Sequence, residues 1–258
     1  MSSFNAFGFF ALAGGTRIAT TVPGAAYAKH HVHYTTSLKT LENSYVAATL
    51  RVYSGVGDAP LPDNTIAFVV AKVFVPNGQP VELDALSFAA IPGDVDGANY
   101  QVYSVLFTRY PDCPVYLFGH IPDHHAPQVL NDGTRIFTVC LSDYIAGGLK
   151  DSTVQCMYPA TKRWVKTPIP HPQSCTQFFG HCTGFGDTGL LRISVEHVTL
   201  SLGPHILAQP AATASTTTTP ARRQKYIAYG STPTQSSSAS TPLASTSHAG
   251  PSSSSPMQ

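Results

Sequence analysis

Charge is scarce in this sequence. Acidic and basic residues make up 11% of 258, and they nearly cancel at 14 against 15. A protein that holds nucleic acid by charge alone carries a basic domain, so that mode of binding is excluded. What positive excess there is lies near the end, where Arg222, Arg223 and Lys225 stand without an acid. Cysteine is also sparse. Cys113, Cys140, Cys156, Cys175 and Cys182 are too few and too evenly spread for a disulfide scaffold, and their odd number suits a reducing compartment. No run is apolar for long enough to cross a membrane as a helix. Glycosylation sequons are missing too.

The apolar opening "FGFFALAGG", with Ala26-Tyr27-Ala28 downstream, has the outline of a secretory leader. No basic residue precedes it, however, and Thr16 and Arg17 interrupt the approach to the cleavage triplet. The expectation is a strand or arm, residues 1–43, laid over the domain of a nuclear or cytoplasmic protein that does not engage a membrane.

Helical periodicity is missing as well. From Tyr45 to Leu202 the apolar residues recur every second position, and prolines from Pro60 to Pro114 leave little room for helices. "NTIAFVVAKVFV" is apolar at both phases, which predicts a strand covered on both sides. Asn77-Gly78 then predicts a tight turn into "VELDALSFAAI". "YQVYSVLFTRY" reads as a further strand. Residues 44–111 are thus expected to form a hairpin-rich extension of an all-β domain.

"GFGDTG" at Gly184, Gly186 and Gly189 has the spacing of a dinucleotide-binding fingerprint. That fingerprint needs a helix after the glycines, to receive the pyrophosphate at its N-terminus. Here "LLRISVEHV" follows, alternating and β-branched, and "TQFFGHC" precedes it. Both are strands, so the glycines predict a hairpin. The apolar phase flips at Val198 and Leu200, which predicts a β-bulge.

Five segments now stand in a row: "VYLFGHI", "FTVCLSDYI", "STVQCMY", "TQFFGHC" and "LLRISVEHV". Their order and strand character resemble the oligonucleotide/oligosaccharide-binding fold of single-stranded DNA-binding proteins similar to replication protein A. The resemblance covers residues 112–203 and implies a Greek-key β-barrel. It implies, too, a groove where bases stack on aromatic rings while cations follow the phosphates. Residues that fit those roles are Tyr116 and Phe118 on the first strand and Phe185 at the hairpin tip. Lys162, Arg163, Trp164 and Lys166 form a basic-aromatic cluster in a loop, and Arg192 lies on the last strand. The implied activity is non-enzymatic binding of single-stranded nucleic acid or of a protein partner. A structural β-sandwich that assembles with other copies, and a carbohydrate-binding module, are the alternatives.

Other chemistry finds little footing. "KHHVHY" and "GHIPDHH" are rich in histidine but lack paired metal-ligand spacing, so no metal or other cofactor is expected. Asp58, Asp63, Asp84, Asp94 and Asp96 stand in turn-like contexts that favour capping. From residue 204 the chain is Ser, Thr, Pro and Ala with few large apolar groups, a composition that predicts disorder.

Overall fold

The structure, a computed structural model, describes residues 2–21, 27–97, 100, 113–123 and 127–200. The expected tail and most of "YQVYSVLFTRY" lie outside the described residues, as do His124 and His125. The described residues form β1 (Ser3–Ala11), β2 (Ala13–Thr20), β3 (Lys29–Lys39), β4 (Tyr45–Ser54), β5 (Ile66–Phe74), β6 (Val81–Ala90), β7 (Pro114–His120), β8 (Gln128–Val129), β9 (Arg135–Ile145), β10 (Gly148–Tyr158), α1 (Lys162–Val165), β11 (Cys175–Phe185) and β12 (Leu191–Thr199). Among the described residues the elements are strands apart from the helical turn α1 and the helical Tyr100.

The expected barrel is there. Strands β7, β11, β12, β10 and β9 are neighbours in that order, and β9 returns to β7 through the pair His120↔Cys140. Within the ring β10 and β12 run parallel and the other pairs antiparallel. This is the five-strand closed barrel of the oligonucleotide-binding fold. Leu117, Phe137, Val139, Val154, Phe178 and Ile193 fill its interior.

Closure depends on one glycine. A Cβ on Gly119 would stand 2.6 Å from Val139 Cγ1 and 2.7 Å from the Cys140 carbonyl oxygen, because β7 crosses directly over β9 there. Gly119→Ala is therefore expected to destabilise the protein by about 1–3 kcal/mol through overpacking, read as a lower midpoint in urea unfolding.

Residues 3–90 form a second ring with the same strand order. Only Leu12 separates β1 from β2; β1 pairs with β5, β2 pairs with β3, and the order continues β3, β4, β6, β5. Again one pair is parallel, β4 with β6. Leu12 is the corner: its amide donates to Thr65 O at 2.9 Å, and one residue later Ala13 pairs with Thr35. The expected arm, residues 1–43, thus supplies three strands of this ring, and β4, β5 and β6 supply the rest. The rings join where β1 runs antiparallel to β7, from Ser3↔Phe118 to Ala6↔Val115. Lys72 Nζ to Asp143 Oδ1 at 2.8 Å, and Leu41 N to Cys182 O at 2.9 Å, tie each ring to a hairpin of the other.

Several local expectations hold. Gly78 turns β5 into β6 with φ +67°. The glycine motif is a hairpin, closed by Gly186 N donating to Leu190 O at 2.9 Å. A register shift opposite Phe179 and Gly180 leaves Glu196 unmatched, two residues before the phase flip. Others differ. β5 is not covered on both sides: Ala67, Val69, Ala71 and Val73 are buried, but Phe68 is 37% exposed and packs edge-on against Phe9 at 5.3 Å. Asp58 and Asp94 accept turn amides as expected, whereas Asp63 accepts the Gly14 amide of β2 at 2.8 Å and Asp84 lies in β6 beside Arg51.

Candidate nucleic-acid interface

The residues singled out from the sequence do not form one patch. Trp164 is the clearest correction. The "KRWVK" segment is a helical turn rather than a loop, and Trp164 is 5% exposed, stacked on Tyr158 at 4.5 Å and 12°. The Arg163 guanidinium lies 5.0 Å from the Trp164 ring centre, and Arg135 donates to the Trp164 carbonyl. An indole packed in this way has no face left for a base. Tyr158 ends β10 with a ring that needs cover, and the turn folds Trp164 down on it, leaving Lys162, Arg163 and Lys166 outside.

Tyr116 and Phe118 are half-buried on the outer side of β7, opposite Asn5 and Ser3 of β1 and Phe179 and Gln177 of β11. Phe179 approaches Phe7 at 6.2 Å and His197 at 6.3 Å, and Arg163 reaches His197 Nδ1 at 3.4 Å. With Phe9 and Phe68, these residues make an outer aromatic patch over β5, β1, β7, β11 and β12. Phe185 and Arg192 belong to a different place. Phe185 is 45% exposed at the end of β11. Arg192 donates from Nε to Gln155 Oε1 at 3.2 Å and lies against Gly186, where a Cβ would stand 2.2 Å from that nitrogen. The middle glycine of "GFGDTG" thus clears a path for an arginine.

Sequence reasoning missed the outer face of β3 and β4. Their register sets His31 opposite Tyr53, His33 opposite Arg51, Thr35 opposite Thr49, Ser37 opposite Ala47 and Lys39 opposite Tyr45. The inward positions between them, from Val32 and Val52 to Leu38 and Val46, are buried. Tyr53 at 70% and Tyr45 at 62% are exposed at the two ends, about 26 Å apart along the strand at 3.3 Å per residue. Ala47 and Thr49 lie between them, and Arg51 stands next to Tyr53. The signal was available in the alternation of "KHHVHY" against "TLRVYS", but the histidines prompted a metal question instead. Among the described residues no group of His, Cys, Asp and Glu could hold a metal ion.

Two pockets open along this face. One, of about 240 Å³, is lined by His33, Thr49, Arg51, Glu82 and Asp84, with Ala146 at the β9–β10 turn closing one side. Its acids are already paired: Asp84 with Arg51 at 3.5 Å and with the Ala146 amide at 3.1 Å, Glu82 with Lys150. The other, of about 440 Å³, lies between Ala47, the Gly78–Pro80 turn, Phe185 and Gly189. The turns joining the fourth and fifth strands of the two rings therefore meet at one end of the β4 face. In barrels of this type the second and third strands and the fourth–fifth turn are the surfaces that receive oligomers.

No protein-family model matches the sequence, and no curated protein matches it. Among solved structures the chain is similar to the wild-type single-stranded DNA binding protein from Thermus aquaticus, at 12% identity over 83% of this chain and 97% of that one, with a TM-score of 0.46. It is similar to a deletion variant of the same protein at 12% identity over 82% and 98%, again with a TM-score of 0.46.

Proposed function

We propose that the protein binds single-stranded nucleic acid and performs no chemistry on it. The strand lies along the outer face of β3 and β4, with bases stacked on Tyr53, Tyr45 and Phe185 and phosphates near Arg51 and Arg192. Lys162, Arg163 and Lys166 offer further phosphate contacts beside α1. The observation that carries this reading is the pair of exposed tyrosines flanking an arginine across a row of small residues, on the strands that barrels of this kind use for oligomers. Exposed rings accept any base, whereas the duplex hides its base faces.

The test is fluorescence anisotropy with labelled single strands of about thirty nucleotides, two site sizes long, and with the matching duplex. Saturable binding of the single strand, and much weaker binding of the duplex, is expected at low salt. No binding of either would overturn the proposal, and equal binding of both would contradict the stacking part.

The near-neutral charge makes a further outcome specific. With two to five phosphates neutralised, log K should fall against log salt with a slope between about −1.4 and −3.5, since single strands give roughly −0.7 per contact. A slope steeper than about −4 would mean that six or more cations engage, and stacking would lose its leading part.

A further inference from the structure

His31 sits opposite Tyr53 at one end of the proposed face and is 8% exposed. Its Nε2 lies 2.7 Å from Nη2 of Arg51. A guanidinium can only donate, so Nε2 accepts and the imidazole is neutral with its proton on Nδ1. That Nδ1 is buried and has no hydrogen-bond partner among the described residues. A proton arriving on Nε2 removes the acceptor and sets two cations face to face. Arg51 then keeps Asp84, at 3.5 Å, as its remaining anchor on the sheet.

We propose that protonation of His31 releases Arg51 from the sheet and makes the β3–β4 face an acid-strengthened site for the phosphates of a single-stranded nucleic acid. This rests on the function proposed above and adds its regulation. The groups around the imidazole are Lys29 and His33 on its own strand, Arg51 and Tyr53 on β4, and Asp84 and Glu82 on β6. β2 presents Ile18, which does not titrate. Burial first, then Arg51, holds His31 below the ordinary histidine range, with Asp84 opposing. His33 is lowered for the same reasons, again with burial first.

A bound phosphate supplies negative charge where protonation is now resisted, so ligand and proton favour one another reciprocally. The fold responds with the opposite sign. Because the native state resists protonation, the unfolded chain takes up the proton first. Stability from these histidines is complete above about pH 6.5 and falls as the pH drops through the window below it. Acid thus tightens binding while loosening the fold.

The experiment uses the full chain and a labelled oligo-dT of about thirty nucleotides at constant ionic strength. The expected gain in affinity from pH 7.5 to 5.5 is about threefold to tenfold, tenfold being the limit of one unit of coupling once the pH lies below both titrations. His31→Gln keeps an acceptor for Arg51 but cannot protonate, and its affinity should gain much less in acid, with only the share of His33 left. Imidazole shifts of the wild-type protein, followed by NMR, should show His31 titrating below 6.5 without ligand and higher with it. Binding that is equal at both pH values, an undiminished acid gain in His31→Gln, or a His31 titration unmoved by oligo-dT overturns the gate and leaves the binding reading intact. Absence of binding at both pH values overturns the binding reading and the gate with it.

Discussion

Trp164→Ala is expected to cost about 3–5 kcal/mol, the usual penalty for emptying a buried indole site. In a chain of this size that is a fall in Tm of roughly 6–20 °C. The cost arises on both sides of the contact. The stacked face of Tyr158 loses its cover, and a cavity opens beside Phe137, which meets Tyr158 edge-on at 5.0 Å. Tyr158 is itself held at its limit: burial pushes its phenol well above the ordinary range, and its hydroxyl has no partner among the described residues. Trp164→Phe should recover most of the loss, since it keeps a ring on Tyr158. Measured well below the transition, Trp164→Ala should keep most of its affinity for a single strand and lose only what the cations of α1 supply. A variant that melts normally but binds poorly would return Trp164 to the ligand's path.

This residue shows where sequence reasoning ran out. "TKRWVK" is polar, basic and bounded by prolines, and period alone gave no reason to bury its tryptophan. Only the end of β10, brought beside it in space, supplies the reason. The ring of residues 114–199 was legible because each of its strands is one alternating stretch ended by turn residues, and Gly119 marks its crossing. The ring of residues 3–90 was not, because its opening strand changes partners at Leu12, and a strand that pairs half with β5 and half with β3 reads as a loose arm. The candidate site divides the same way. Phe185 was readable as the tip of a hairpin. Tyr53 and Arg51 alternate as plainly as Tyr116 and Phe118, but periodicity tells faces apart without saying which face the fold leaves open.

The double variant Tyr53→Ala, Phe185→Ala is expected to weaken binding of a single strand by about 2–6 kcal/mol, at 1–3 for each stacked base. That is a loss of roughly 30-fold to more than 10⁴-fold. The two rings stand at opposite ends of the β4 face, one touching His31 edge-on at 5.9 Å and the other at the meeting of the two glycine turns. Both are largely exposed, so their removal should move Tm by only a few degrees, and binding loss can be separated from unfolding. Phe68→Ala is the matched control. It removes an exposed ring from the outer patch over β5 and β1, on the other face from Tyr53, and should leave affinity unchanged. The comparison also decides between the two aromatic surfaces of the molecule. If Phe68→Ala and Tyr116→Ala weaken binding while the double variant binds normally, the strand follows β5, β1 and β7, and the His31–Arg51 pair loses its ligand. If only the double variant fails, the face that sequence analysis passed over is the one that reads the bases.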